Sequence, residues 1–152
     1  MKTLSSPGDL VTIRNRIALL GPTDTHLWGS MSVQQMVCHV SDSFTFPLSH
    51  HPVAPIRITR LPVPILKWFA LCVPMKWPPG VPTLPILDQQ AGAGTPPADF
   101  AADRATLLAA LDRFAAHTGP LPRHPIFGTM TRAEWMRWGY LHTDHHLRQF
   151  GR

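Results

Sequence analysis

"TRAEWMRWGYLHTDHHLRQFGR" occupies residues 131–152, and how it is read determines the fold. Thr131 and Glu134 are three apart, the spacing of a capping box in which each side chain takes a backbone N–H at a helix start. From there Trp135, Trp138, His142, His145 or His146, and Gln149 recur at alternating steps of three and four. That spacing lays them along one seam of a helix running to about Phe150. A seam of aromatic and polar side chains needs other helices to cover it.

The chain supplies three further helical segments. Residues 8–20 place Leu10, Ile13, Ile17 and Leu20 at helical spacing and stop at Gly21-Pro22. "MSVQQMVCHVSDSF" (31–44) has Ser32 as N-cap and Gln35 as its capping-box partner, and predicts a helix to about Phe46, ahead of Pro47. "ADFAADRATLLAALDRFAAHTG" (98–119) is rich in Ala and Leu, with Phe100, Leu107, Leu108, Leu111 and Phe114 on one side. Between these last two, residues 47–97 hold 12 of the 17 prolines, which exclude a long regular helix or a central strand. A short helix over 65–72 is expected there, with extended chain around it. The expected fold is all-α: a four-helix bundle forming one domain over residues 1–152, with a long proline-rich crossover between helices two and three.

Composition narrows the function classes. Hydrophobic residues make up 44% and charged residues 15%, the balance of a compact chain rather than a disordered one. Lys and Arg number 14 against 9 Asp and Glu, a net charge of +5, but the arginines are scattered from Arg14 to Arg152 without a run. Nucleic-acid readers concentrate their basic residues on one face, so the scatter argues against such a partner. Cys38 and Cys72 lie outside any C-x-x-C pattern and read as small buried apolar side chains, in keeping with a reducing, cytoplasmic setting. The most apolar stretch, "ILKWFALCV" (65–73), contains Lys67 and is bounded by Pro64 and Pro74. It falls well short of the roughly 20 residues of a membrane span, and the N-terminus lacks the apolar core of a signal peptide. No membrane partner is expected.

The histidines carry the chemistry. His142 and His146 lie on one helix face, one turn and about 6 Å apart along the axis, and can converge on one cation. Gly139, one turn earlier on that face, suggests that room is left there, because a mid-helix glycine costs about 1 kcal/mol against alanine. Ordinary hydrogen bonds, or a cationic helix end favoured by the dipole, would also account for the pair. A third ligand would come from His26, His39, His50, His51, His117 or His124. His39 stands out because it sits inside a capped helix, at the edge of the apolar face of Val33, Val37, Val40 and Phe44. A hydrogen-bonded core histidine is the competing reading of that residue. His145 is turned about 100° from His146 and belongs to an interface, to the support behind the ligands, or to the surface. Asp144 should be solvated. Asp42 either orients a ligand or is solvated, and Trp135 and Trp138 read as core.

"MSVQQMVCHVSDSF" followed by "GYLHTDHHLRQFG" resembles the DinB/YfiT-like superfamily of four-helix metalloproteins. "HPIFGTMTRAEW" (124–135) together with "WGSMSVQQMVCH" (28–39) is similar to an uncharacterised branch of it. The resemblance implies His39, His142 and His146 as ligands of one divalent metal ion, with Gln149 matching the trailing glutamine of the motif. Zinc, nickel, iron and manganese all accept imidazole nitrogens. Three histidines leave coordination positions open. The implied activity is therefore a metal-dependent enzyme, a hydrolase or a low-molecular-weight-thiol S-transferase. It would act on a small-molecule substrate, with a thiol as cosubstrate, and the proline-rich segment would cover the open side. A homodimer is compatible with this reading. The alternative is a non-enzymatic, stress-related metal-binding bundle with a structural or sensory ion, which closure of the site by His51, His124 or Cys72 would favour.

Overall fold

The computed structural model describes residues 1–49, 54–81 and 83–152. His50 and His51, two of the candidate third ligands, lie outside the described residues. Five α-helices follow one another: α1 (Pro7–Ala18), α2 (Val33–Leu48), α3 (Val63–Cys72), α4 (Phe100–Ala116) and α5 (Arg132–Gln149). The described residues form no strand; a single isolated bridge joins His124 to Gly128. The fold is all-α.

Local chemistry sets the helix ends. In α1 the Ser6 side chain accepts the Asp9 N–H and Pro7 occupies the first turn, where its missing N–H has no intrahelical partner to lose. Both predicted capping boxes form, Ser32 with Gln35 and Thr131 with Glu134. Helix α2 runs through Pro47 to Leu48, past the expected stop at Phe46. A proline so near the end removes little, and the Ser49 N–H still reaches the carbonyls of Thr45 and Phe46. Helix α4 is shorter than expected, because the Asp99 side chain caps it through Ala102 N–H and His117 has left helical geometry.

The proline-rich crossover holds more structure than extended chain. It contains α3, which begins two residues earlier than expected, and two 3₁₀ turns at Pro85–Leu87 and Gln89–Ala91. Both turns pack on α2, which also packs on α4 and α5; α1 packs on α4 and α5, and α3 on α5. Helix α2 is consequently buried on nearly every side, including Met36, His39 and Ser43, rather than along one stripe. The common core contains Ile13, Ile17, Phe44, Leu111, Phe114, Trp135 and Met136. Among the described residues no helix is long and apolar enough to cross a membrane.

Several sequence expectations change here. A Cβ at Gly139 would stand 2.7 Å from Leu4 Cδ1, 3.1 Å from a Phe44 ring carbon and 3.3 Å from a Phe114 ring carbon. The glycine therefore lets the core close against α5; it leaves no space for a ligand. Cys38 is buried, but Cys72 is exposed. Asp144 is not simply solvated, since it bridges Arg16 at 2.7 Å and Arg148 at 2.9 Å. Partial burial alone would raise its pKa, but the hydrogen bonds from the two guanidinium groups hold its carboxyl below the usual range. Asp42 is neither a ligand support nor free in solvent. It accepts the N–H and hydroxyl of Thr95, both at 2.7 Å, and so fixes the approach to α4.

Candidate metal centre

His39 lies in the middle of α2, and His142 and His146 stand one turn apart on α5. The three side chains meet, with one candidate ligand nitrogen from each lying within 4.8 Å of the others. Ring centroids are 5.4 Å apart for His39–His142, 4.8 Å for His39–His146 and 4.7 Å for His142–His146. The shared stripe of α5 and the buried position of His39 in α2 bring this about.

Hydrogen bonds orient two of the rings. His39 Nδ1 lies 3.0 Å from the Leu87 carbonyl oxygen, which can only accept. Nδ1 therefore carries the proton, and the Nε2 lone pair is left free. His146 Nδ1 lies 3.1 Å from Gln149 Oε1. The Gln149 amide nitrogen donates to the Trp28 carbonyl at 2.8 Å, which commits the amide oxygen to the histidine. Fixing one ring nitrogen so that the other faces a cation is how supporting residues orient ligating imidazoles. The His142 ring stacks on Trp138, centroids 5.0 Å apart and planes 10° apart, and its Nδ1 is buried without a hydrogen-bond partner among the described residues. A buried polar atom left unpaired costs about 1–3 kcal/mol.

All three rings are held neutral. Burial lowers the pKa of His39, partly offset by the bond to Leu87. Burial lowers His142 and His146 well below the ordinary value, reinforced by the neighbouring imidazoles. A neutral imidazole is the ligating form, so burial prepares these residues for a cation and disfavours a protonated, helix-end role. The three histidines could hold a metal ion. Among the described residues no fourth His, Cys, Asp or Glu joins the group.

The other described histidines do not join the group, although His124 and His145 line the cavity beside it. His26 is exposed, and His117 lies beyond the end of α4 with Nε2 3.4 Å from the Pro120 carbonyl. His145 turns aside, its Nδ1 3.3 Å from the Trp77 carbonyl. His124 is buried, and its Nδ1 accepts the N–H groups of Ile126 at 3.1 Å and Phe127 at 3.2 Å. Burial pushes its pKa down to about 3. Below the ordinary value of about 6.5 the unfolded chain takes up a proton that folded His124 refuses, so acid favours unfolding. Its contribution is complete above pH about 6.5 and is lost as pH falls towards 3. Lowering pH from about 7 to about 4.5 should cost roughly 2–3 kcal/mol through this residue. Urea unfolding of wild type and His124→Asn at both pH values checks this. A wild-type midpoint insensitive to pH would contradict it.

A cavity of about 330 Å³ opens beside the three histidines. Its wall is mainly apolar, with Leu66, Phe69, Met75, Trp77, Trp135 and Trp138 among the lining side chains and Arg123 as the one formal charge. Volumes near 300 Å³ and above are typical of small-molecule sites. Trp135 and Trp138, expected as core alone, also form part of this wall.

Sequence reasoning missed the groups that orient the rings. Leu87 and Trp28 act through backbone carbonyls, which side-chain identity does not reveal. Gly29 has φ 81°, and a Cβ there would stand 2.6 Å from Gln149 Nε2. Glycine thus serves both the backbone conformation and the close approach of the amide that holds His146. Gly29→Ala should displace Gln149 and weaken zinc binding by about 10–100-fold, as loss of such supporting bonds typically does. Competition with a chromophoric chelator measures it, and unchanged affinity would refute the link.

An all-helical chain with three convergent neutral histidines beside an apolar cavity is the class of protein that fold and site define. The chain belongs to the DUF1569 family, described as proteins of unknown function, whose profile matches residues 6–152. No curated protein and no solved structure matches it. The family match corrects the resemblance to the DinB/YfiT-like superfamily, since it is to DUF1569 that the chain is assigned over nearly its whole length. A histidine pair at i and i+4 with a third on another helix follows from helix geometry, so short motifs of this kind recur without marking a family.

Proposed function

We propose that His39, His142 and His146 bind one divalent metal ion, and that the protein is a metal-dependent enzyme acting on an apolar small molecule held in the adjoining cavity. The observation that carries this reading is the convergence of three neutral imidazoles, two with their far nitrogens tied to acceptors, at the wall of that cavity. An ion with three protein ligands keeps positions open and acts there as a Lewis acid or activates a nucleophile such as water. Hydrolysis is the simplest reaction on those terms, and a thiol nucleophile would use the same open position. The same reading takes α1, α2, α4 and α5 as one four-helix bundle in a single unit spanning 1–152, supported by the packing of α2 on α4 and α5 and of α1 on both.

The second reading, a structural or sensory ion, requires a closed coordination sphere. Two of its named candidates are poorly placed, since Cys72 is exposed and His124 Nδ1 is already engaged by two backbone N–H groups. Cobalt(II) substitution separates the two readings. An open site should give visible bands that shift when azide or a small thiol is added. Bands insensitive to both additives would overturn the enzyme reading in favour of the structural one.

A further inference from the structure

The crossover presents a surface that the metal site does not account for. Among the described residues, eight of the twelve exposed large hydrophobic side chains lie between residues 61 and 86: Leu61, Val63, Ile65, Trp68, Phe69, Met75, Val81 and Ile86. Within α3 the exposed positions Ile65, Trp68, Phe69 and Cys72 follow i, i+3, i+4, i+7 spacing, so the outward face of this helix is apolar. Trp68 is 61% exposed and Ile65 53%. The helix is held from behind, where Lys67 pairs with Glu134 at 2.8 Å and the Leu71 carbonyl accepts from Arg137 at 3.0 Å.

The charge of the segment that carries this helix is one-sided in sequence, and among the described residues only Lys67 within it is neutralised, by Glu134. Residues 43–87 contain no Asp or Glu but include Arg57, Arg60, Lys67 and Lys76, four positive charges against a net +5 for the whole chain. Arg57, Arg60 and Lys76 are exposed and form no ion pair among the described residues. An isologous dimer through this face would set those cations against their own copies, an arrangement that like-charge repulsion opposes. An anionic surface that also accepts apolar side chains matches both features. That combination, with a tryptophan at the boundary, is the signature of a protein lying on a lipid bilayer.

We infer that the face formed by α3 and its flanking basic residues docks on an anionic lipid surface. No span is needed for this contact. Phe69, Met75 and Val81 are each exposed and also line the cavity, so docking through them turns the cavity mouth towards the bilayer, from which an apolar ligand can enter. The inference holds whether or not the histidines carry a metal ion.

Cosedimentation of the full chain tests it, using vesicles of phosphatidylcholine alone and of phosphatidylcholine with one third phosphatidylserine. Binding should be strong to the anionic vesicles, weak to the neutral ones, and reduced by salt. Each cation near such a surface is worth roughly fivefold in partitioning, so Arg57→Gln/Arg60→Gln/Lys76→Gln should bind at least about tenfold more weakly. Ile65→Ser/Trp68→Ser should bind little, and circular dichroism should show both variants folded, since every changed side chain is exposed. Three results would overturn the inference: no binding to anionic vesicles at low salt, binding that neither variant weakens, or a dimer in sedimentation equilibrium that Ile65→Ser/Trp68→Ser dissociates.

Discussion

Replacing His146 with alanine should lower zinc affinity by at least about a hundredfold. That figure is the upper value for loss of a hydrogen bond behind a ligand, and a lost ligand costs more. His146 is the best supported of the three rings, with Nδ1 bound to Gln149 and Gln149 anchored on Trp28. Its removal leaves His39 and His142 on different helices, with no other described His, Cys, Asp or Glu in the group to complete a three-nitrogen site. His39→Ala and His142→Ala should behave alike, whereas His145→Ala should bind zinc as wild type does, because its ring faces Trp77. Competition titration against a chelator of known affinity gives the ratio for each variant. Equal affinity in wild type and His146→Ala would remove this residue from the site.

Trp135→Ala should destabilise the fold by about 3–5 kcal/mol, the range for emptying a large aromatic position in a core. Trp135 is 2% exposed and meets His124, Trp138 and Phe114 with ring centroids 5.2, 5.3 and 6.1 Å away. Its indole N–H is buried without a partner among the described residues, so Trp135→Phe, which removes that donor and keeps most of the ring, should cost less than half as much. Urea unfolding measures both variants. A loss below about 1 kcal/mol for Trp135→Ala would show that the site can collapse around the gap, contrary to this packing.

The helices were legible where local signals were strong. Ser32 with Gln35 and Thr131 with Glu134 marked two helix starts to within a residue, because a capping box is written in two side chains three apart. The pairing of His142 with His146 follows from helix geometry, whereas His39 stands out among six candidate histidines only by its place at the edge of an apolar face, and its role as third ligand is what the resemblance implies. What sequence could not show was backbone. The Leu87 carbonyl that orients His39 sits on a 3₁₀ turn inside a proline-rich segment expected to be mostly extended, and the Trp28 carbonyl that fixes Gln149 precedes a left-handed glycine. A mid-helix glycine signals close approach without saying what approaches, and at Gly139 it is Leu4, Phe44 and Phe114 rather than a ligand. The resemblance to another family rests on short segments around His39 and α5, whereas the DUF1569 profile matches residues 6–152.

The most direct test of the metal centre is X-ray absorption at the metal edge of the full chain loaded with zinc. Three imidazole nitrogens at about 2.0–2.1 Å, with an oxygen completing the shell, is the predicted spectrum, and His142→Ala should lose it. A first shell containing sulfur, a shell with at most one imidazole, or a wild type that takes up no zinc would contradict the assignment of His39, His142 and His146.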